Sequence, residues 1–452
     1  QKISNMAVPG FEVIIVGGGP VGLTTAIALA KAGIDFVVLE RRPDIIIDAG
    51  SNLVMLPNGM RALYQLGLGD ALDAVSSPLS GIECIDHQGK PVSDLRWFFH
   101  LKENFGAFPR VLSRHDLTRV LYEGIPTHAR SYVYTNKKVS NITVEEDRTV
   151  VSCADGTSYS GSIVIGADGA HSSVRQQMRI LGLNAGSLEI NEEQPFLTTY
   201  RCLWLRIPTS ICQDLKPGTT VETHGPGAAT QFFVGEETAV IGLYETLDAP
   251  SRERIRFTEA DEAAIIERWG HLPLTSKGDL SLKKAHEGRV QSGLVSLEEG
   301  VVEHWSWDGR IVLVGDAAHK FTPSTGAGCN NGILDIVSLA NEIHKAVESA
   351  GGSKPSRALL DSAFKAYQDS RYAAVTAGCG RSGQATAMAT WQTRTLAFVD
   401  RHVLSVHALQ KFLASRGSPE TANMQVFDYI KAEERMIGKV PWVNPMPAVA
   451  KV

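Results

Sequence analysis

The amino-acid sequence predicts an α/β protein that opens with a βαβ unit, carries an inserted antiparallel sheet and ends in helices. Three observations indicate this organisation. The β-rich run 11–16 is followed by a glycine turn, a helical stretch and a second apolar run at 36–40. Runs rich in β-branched and aromatic residues, separated by Pro/Gly turns, fill 189–282. From about residue 355 onward the spacing of apolar residues is helical.

Length and composition are those of an ordinary globular chain with more than one packed unit. A chain of 452 residues is longer than one hydrophobic core usually serves, and 43% of the residues are apolar. A net charge of -5 provides no basic field, so nucleic acid is not an expected partner. The sequence has no run of 18 apolar residues and its start has no apolar signal-peptide core, so we expect a soluble, cytoplasmic protein without a transmembrane segment.

The cysteines form no CxxC pair and have no histidine at metal-ligand spacing, so we expect free thiols and no metal site. They are Cys84, Cys153, Cys202, Cys212, Cys329 and Cys379.

The first glycine turn has the pattern GxGxxG between a strand and a helix. Gly17 allows the tight turn, Gly19 lets a pyrophosphate approach the backbone, and Gly22 lets the helix pack closely on the strand. Pro20 and Val21 lie at the start of that helix, whose N–H groups and positive dipole end attract phosphates. The pattern therefore predicts a dinucleotide site, with a plain tight turn as the alternative.

Glu40 ends the second strand about twenty residues further on. A carboxylate there can accept hydrogen bonds from both hydroxyls of an adenosine ribose and disfavours a 2′-phosphate. We therefore expect FAD or NAD rather than NADP at this site, with Arg41 beside it.

Two later glycine-containing stretches also follow β-rich runs. SIVIGADGAHSSVR, residues 162–175, passes from a strand into a Gly-Ala-Asp-Gly turn. IVLVGDAAHKFTPSTGAGCNNGILD, residues 311–335, combines a strand end, a lone aspartate and a Gly-x-Gly loop. In this order the three motifs resemble those of the group A flavoprotein monooxygenases, a hydroxylase family with one FAD-binding domain.

The resemblance implies an FAD-binding Rossmann-type domain with an inserted antiparallel-sheet substrate domain and C-terminal helices. We expect the FAD-binding domain to comprise 1–79, 102–188 and 283–355, the β-sheet substrate-binding domain 80–101 and 189–282, and the C-terminal helical segment 356–452.

The family motifs also imply cofactor contacts. In the family the middle motif, which here contains Asp168, supports the FAD fold and is implicated in pyridine-nucleotide binding. Asp316 would accept hydrogen bonds from the ribityl hydroxyls of the flavin half. Arg114, in an R-x-x-L-x-x-x-L pattern, would reach the cofactor from a helix that Ser113 can cap, with an ordinary surface arginine as the alternative.

The glycine loop of the last motif would face the flavin ring. Its helix is expected to begin near Asn330 and to stabilise negative charge on reduced flavin. Pro323 resembles the family proline beside the ring, close to where oxygen adds, whereas His319 is structural in the family. The loop residues predicted to contact the cofactor are Pro323, Gly326, Ala327, Gly328, Cys329 and Asn330.

The stretch TTYRCLW is similar to a family segment in which the arginine faces the substrate chamber. We therefore expect Arg201, and secondarily Tyr200, to orient the substrate, since an arginine could hold a phenolate or carbonyl. The alternative is a strand arginine paired with a nearby carboxylate.

The resemblance implies an enzyme that uses NAD(P)H as co-substrate to reduce FAD and transfers one oxygen atom of O2 through a C4a-hydroperoxyflavin. The stretches GMRALYQLGLGDAL and GDAAHKFTPSTGAG resemble a fungal branch that hydroxylates or epoxidises lipophilic aromatic or prenylated secondary metabolites. An oxidative cyclase or dehydrogenase on the same fold remains an alternative, as does a non-enzymatic escort protein with this fold. A flavin halogenase is disfavoured because Trp305-Ser306-Trp307 is not followed by Ile-Pro.

The stretch LAFVDRHVLSVHALQKFLA, residues 396–414, is amphipathic. Packing against the FAD-binding domain explains this pattern, and contact with a membrane surface is the alternative.

Overall fold

A computed structural model of the chain describes residues 10–48, 52–211 and 215–449. The strands are β1 (Glu12–Val16), β2 (Asp35–Leu39), β3 (Asn52–Met55), β4 (Ser77–Pro78), β5 (Ile82–Asp86), β6 (Pro91–Leu95), β7 (Arg110–Ser113), β8 (Val133–Tyr134), β9 (Val139–Val144), β10 (Thr149–Cys153), β11 (Ser158–Gly161), β12 (Ile163–Gly166), β13 (Leu197–Pro208), β14 (Thr220–His224), β15 (Ala228–Val234), β16 (Thr238–Ser251), β17 (Gln291–Val301), β18 (Ser306–Trp307), β19 (Ile311–Leu313) and β20 (His319–Lys320).

The α-helices are α1 (Pro20–Lys31), α2 (Pro57–Gln65), α3 (Gly69–Ala74), α4 (Trp97–Phe105), α5 (Arg114–Gly124), α6 (Ser173–Asn184), α7 (Glu259–Trp269), α8 (Leu282–Glu287), α9 (Ala327–Ser349), α10 (Arg357–Ala389), α11 (Arg394–Phe398) and α12 (His407–Ala422). Single 3₁₀ turns span Gly315–Ala317 and Pro323–Thr325, and a π-helical turn spans Val399–Val403.

The first sheet has six strands in the order β18-β19-β12-β1-β2-β8, and all its pairs are parallel except β18 with β19. Its central strands consist of buried aliphatic residues, as expected for a parallel sheet covered by helices on its faces. The carboxyl ends of β1, β12 and β19 lie side by side, since Val16 pairs with Gly166 and Gly166 with Leu313. The three sequence motifs begin at these strand ends, so the fold brings them together. The predicted α/β fold with an opening βαβ unit is confirmed.

The second large sheet has eight strands in the order β20-β17-β13-β16-β15-β14-β5-β6. The expectation of a purely antiparallel sheet is wrong at one pair, because β14 and β5 run parallel. The expected boundary at residue 282 also differs from the structure, because β17 pairs with β13 from Glu299 to Gln291 and so extends this sheet into the segment 283–355. The alternating sequence of β17 carries no signal of which sheet it joins.

The chain after residue 356 is helical only as far as α12. The described residues that follow run as irregular chain across α2, where Gln65 donates two hydrogen bonds to the carbonyl oxygens of Phe427 and Ile430. In the amphipathic stretch, Gln410 of α12 bonds to the backbone of Asp94 and Arg96 at the end of β6. Packing of the stretch against the FAD-binding domain stays a prediction.

No helix in the described part of the chain combines the length and the apolar character that crossing a membrane requires. The five cysteines within the described residues are free thiols, and Cys212 lies outside those residues.

Candidate functional site

The first glycine turn is packed against the middle motif. Gly17 has φ +111°, a conformation that side chains rarely adopt, and a Cβ there would overlap the carbonyl group of Ala167. A Cβ at Gly22 would overlap the carbonyl oxygen of Gly17. Both glycines are therefore required by close backbone approach.

Helix α1 begins at Pro20 with Gly19 as its N-cap, and no side chain caps it. Proline at this position removes one N–H that would otherwise lack a partner, while the N–H groups of the rest of the first turn stay directed out of the helix end. This is the arrangement that binds a phosphate.

Glu40 is buried at the end of β2, beside the same turn. Its carboxylate accepts hydrogen bonds from the Gly18 N–H at 2.7 Å and from the Arg42 N–H at 2.9 Å. The structure thus places the predicted ribose-binding carboxylate directly at the glycine turn, while Arg41 is exposed. The contacts of Glu40 and Arg41 with an adenosine stay predictions.

Asp168 acts as an anchor for the start of α6. Its carboxylate accepts hydrogen bonds from the Ser172 hydroxyl at 2.5 Å, the Ser173 N–H at 2.7 Å and the Val174 N–H at 3.1 Å. Carboxylates are stabilised at this end of a helix by its dipole. Asp168 therefore holds the loop that packs on Gly17, and a direct contact of its carboxylate with a nucleotide stays a prediction.

Arg175, buried in the same motif, connects it to the third motif. Its guanidinium donates to the carbonyl oxygens of Ala317 at 2.7 Å and Ala170 at 2.6 Å. The middle motif thus contacts both the first glycine turn and the turn that carries Asp316.

Asp316 lies in the 3₁₀ turn directly after β19 and is partly exposed. Lys320 donates to its carboxylate at 2.5 Å. Burial opposes the charge of the carboxylate, but the Lys320 ammonium outweighs it and lowers the pKa of Asp316. A charged acceptor at this strand end fits the predicted contact with ribityl hydroxyls.

Helix α9 begins at Ala327, one turn earlier than the expected start near Asn330. Its N-cap is Gly326 at φ +63°, where a Cβ would lie 3.0 Å from the Val54 side chain. Gly328 lies in the first turn, and a Cβ there would meet only Asp316, at 4.0 Å. The first N–H groups of a 23-residue helix therefore open toward Asp316, with the dipole favouring negative charge there.

Asn330 has a structural role that its sequence position does not reveal. Its fully buried amide donates to the carbonyl oxygens of Val54 and Gly326 and accepts from the Leu56 N–H at 2.9 Å. These partners satisfy the side-chain amide within the protein, and a contact of Asn330 with the cofactor stays a prediction. Asn330 instead joins β3 to the glycine loop.

The remaining predicted residues surround this loop. Pro323 is exposed at the start of its 3₁₀ turn. Cys329 is partly buried, and burial raises the pKa of its thiol to about 12, so it stays neutral. Arg114 follows Ser113, which caps α5 by accepting from the Asp116 N–H at 2.9 Å, and its guanidinium lies 4.0 Å from where a Gly19 Cβ would be. The flavin contacts of these residues stay predictions.

A buried charge cluster beneath the loop was not singled out from sequence. Asp335 of α9 accepts from the Gly315 N–H at 3.0 Å, from Arg371 at 3.0 Å and from His319 at 2.6 Å. The structural role expected for His319 agrees with this burial. The aspartate within the apolar run ILDIV of this helix was the available signal, because a buried carboxylate requires partners.

Tyr200 and Arg201 lie on opposite faces of β13. Tyr200 is buried and accepts a hydrogen bond from Gln392 at 2.5 Å. Arg201 instead binds Glu245 at 2.5 Å, on the face that α7 covers. The structure shows the alternative of a strand arginine paired with a carboxylate, and a role of Arg201 in orienting the substrate stays a prediction. Alternation along a strand already permits only one of the two to face a chamber.

The open helix ends, the two glycine cradles and the carboxylates at the strand ends fit a long dinucleotide that bridges the first and third motifs. Together with the six-stranded sheet they define a flavoprotein. Comparison with known proteins agrees. A family model described as FAD binding domain matches residues 10–233 and 278–377.

Among similar proteins, the FAD-dependent monooxygenase DEP2 of Alternaria brassicicola is 31% identical over 97% of this chain and 82% of its own length. The FAD-dependent monooxygenase nodM of Hypoxylon pulicicidum is 34% identical over 81% of this chain and 78% of its own length. The crystal structure of Klebsiella pneumoniae HpxO complexed with FAD and uric acid has a TM-score of 0.69 at 19% identity, covering 91% of this chain and 98% of that one.

The chain belongs to the FAD-binding-domain family and is an FAD-dependent monooxygenase, as the motif resemblance predicts.

Proposed function

We propose that this enzyme uses NAD(P)H to reduce its FAD and inserts one oxygen atom of O2 into a lipophilic aromatic or prenylated small molecule of fungal secondary metabolism. The bound flavin supplies the redox chemistry, accepting hydride and activating oxygen. The residues described here would hold the flavin, orient the substrate and exclude water.

The observation that carries the proposal is the character of the sheet face that meets the glycine loop. Tyr200, Cys202, Tyr244 and Leu297 form a buried cluster on this face, with Trp204 packed against it. The same face contacts the loop through Gln231, which donates to the Ser324 carbonyl oxygen at 3.0 Å. A wall of aromatic and apolar side chains therefore lies beside the predicted flavin edge.

This cluster is also uncharged at neutral pH. Burial raises the pKa of Tyr200 to about 12 and that of Cys202 to about 12. Burial likewise raises the pKa of Tyr244 well above its ordinary value. A wall that offers rings, a thiol and neutral hydroxyls favours a lipophilic substrate over an anionic one.

The N-terminus of α9 contributes electrostatically. Its first N–H groups and dipole would stabilise negative charge that develops on the flavin during reduction. The buried wall would limit water access, which otherwise favours release of peroxide.

The test is anaerobic reduction followed by an oxygen-isotope experiment. The holoenzyme is mixed with NADPH or NADH, with and without pooled aromatic and prenylated natural products, and bleaching of the flavin band is followed. The fraction that accelerates bleaching is then turned over under ¹⁸O2. A product heavier by one ¹⁸O atom is expected, with the second atom in water. Flavin reduction without incorporation of label would overturn the proposal in favour of an oxidative cyclase or dehydrogenase.

A further inference from the structure

The buried cluster of Tyr200, Cys202, Tyr244 and Leu297 is called the substrate wall. A chain of hydrogen bonds connects this wall to Ser324 in the loop before α9. The Tyr244 hydroxyl donates to Gln231 Oε1 at 2.6 Å. Gln231 Nε2 donates both to Glu222 Oε1 at 2.6 Å and to the Ser324 carbonyl oxygen at 3.0 Å. Gln231 is thus the only side chain in this series with bonds to the wall, to a charged group and to the loop.

The neighbouring carboxylate determines which way the Gln231 amide points. With Nε2 toward Glu222, the amide donates to a carboxylate and its oxygen accepts from Tyr244. Turning the amide over would set its oxygen against the Glu222 carboxylate and against the Ser324 carbonyl, leaving three acceptors facing each other. Glu222 therefore selects the orientation in which Gln231 can hold the loop.

Glu222 is in turn held by His224 at the end of β14, which is paired with Asp400 of the C-terminal segment. His224 lies between Glu222 Oε2 at 3.1 Å and Asp400 Oδ2 at 2.8 Å, and all three side chains are buried. Burial opposes the charge of His224, but hydrogen bonds to Asp400 and Glu222 outweigh it and raise its pKa to about 10. The imidazolium therefore donates from both ring nitrogens and joins two carboxylates that would otherwise repel.

Two unusual backbone features converge on Asp400. It belongs to the π-helical turn Val399–Val403, a rare geometry that is frequent at functional sites. Trp391, which donates its indole N–H to Asp400 Oδ2 at 2.7 Å, has φ +42°. Such conformations persist where surrounding contacts over-determine them. The other Asp400 oxygen is buried and has no hydrogen-bond partner among the residues that the structure describes.

The same cluster could be taken for a metal site, because ligand atoms of Cys84, Glu222 and His224 all lie within 4.8 Å of one another. The chemistry argues against this. Both ring nitrogens of His224 already bind carboxylates, and burial raises the pKa of Cys84 well above that of a free thiol, so no thiolate is offered.

We propose that Gln231 is a positioning residue that sets the distance between the flavin-edge loop and the substrate wall, and that Asp400 and His224 hold it in place through Glu222. The proposal deepens the proposed function, since it assigns what fixes substrate against flavin. It also gives the segment after α10 a part in the site, through contacts spanning 176 residues of sequence.

The test compares Gln231→Leu with Gln65→Leu, the same substitution at a second buried glutamine, whose side-chain amide donates to the backbone at Phe427 and Ile430 and not to the loop. For each holoenzyme we would measure the FAD dissociation constant, the flavin absorption and fluorescence spectra, and the fraction of NADPH oxidised that appears as hydrogen peroxide. For Gln231→Leu, loss of the hydrogen bond that holds the loop at the Ser324 carbonyl oxygen is expected to weaken FAD binding roughly fivefold to tenfold, shift the flavin spectrum and raise the peroxide fraction. Gln65→Leu should leave all three unchanged.

Asp400→Asn provides the second variant, because it keeps the shape of the side chain. It should change the flavin spectrum in the same direction as Gln231→Leu, and the double variant should show less than the sum of the two effects. Unchanged FAD affinity and flavin spectrum in both single variants would overturn the proposal, as would equal changes in Gln65→Leu. The spectra and FAD affinity do not depend on oxygen transfer, so a holoenzyme that incorporates no ¹⁸O would refute the proposed function and leave this test intact.

Discussion

Replacing His224 with glutamine should flatten the dependence of stability on alkaline pH. His224 is buried between two carboxylates, and its pKa in the folded chain is about 10 against an ordinary value of 6.5. The contribution of its charge to stability is complete below about pH 6.5 and is lost as pH rises through about 10.

The magnitude follows from the protons bound. Between those two values the folded chain holds one proton at His224 that the unfolded chain has released. The free energy of unfolding therefore falls by about 1.4 kcal/mol for each pH unit, or roughly 3 kcal/mol from pH 7 to pH 9. His224→Gln removes this proton and also leaves Glu222 and Asp400 without their shared cation, which should lower stability at pH 7 by about 3–5 kcal/mol.

The assay is urea unfolding at pH 7, 8 and 9, with FAD at a fixed saturating concentration. His128→Gln is the matched control, because its side chain is exposed. The free energy of unfolding should fall with pH at the same rate in the native chain and the control. In His224→Gln it should be lower at pH 7, and its fall per pH unit should be smaller by about 1.4 kcal/mol. Equal slopes in all three proteins would refute the assignment of a buried imidazolium.

Three further substitutions test the glycine turn, the Arg201–Glu245 pair and the buried cluster at Asp335. Gly22→Ala should reduce the flavin-to-protein ratio at least about tenfold, because the new Cβ overlaps the Gly17 carbonyl oxygen. Gly380→Ala is the control, because a Cβ there meets nothing within 4 Å, and it should keep the flavin and raise the free energy of unfolding by about 1 kcal/mol. Arg201→Ala should lower the unfolding free energy by about 1.5–3 kcal/mol and leave the KM for substrate unchanged, whereas a raised KM at unchanged stability would support a contact of Arg201 with the substrate. Asp335→Asn should cost about 3–5 kcal/mol in urea unfolding, and a loss below about 1 kcal/mol would contradict the buried cluster.

The parts of the fold that were predictable depend on local patterns. The strand, glycine turn and helix of the first motif are adjacent in sequence, so periodicity and the glycine spacing predict both the βαβ unit and its phosphate-facing helix end. The cap of α5 by Ser113 follows from its spacing to Asp116 in the same way.

The parts that were missed depend on pairings between distant segments. The face of β13 that carries Arg201 is decided by α7, which begins some sixty residues later. Asn330 binds the backbone at Val54 and Leu56, and nothing near any of these residues signals the contact. Asp400 lies in the amphipathic stretch 396–414, where the sequence pattern did not indicate the π-helical turn in which it is buried.

The strand order of the six-stranded sheet has a consequence for synthesis of the protein on the ribosome. β1 pairs with β2 at once, but its other neighbour, β12, begins at Ile163, and β19 begins only at Ile311. At a translation rate of about 5–20 residues per second, the apolar edge of β1 stays unpaired for about 8–30 s until β12 has been synthesised. The third motif is synthesised later still. An exposed edge of this kind is prone to pair with other chains. Recombinant yield should therefore depend more on chaperone supply and growth temperature than on added flavin, which has no complete site until the last of these strands has left the ribosome.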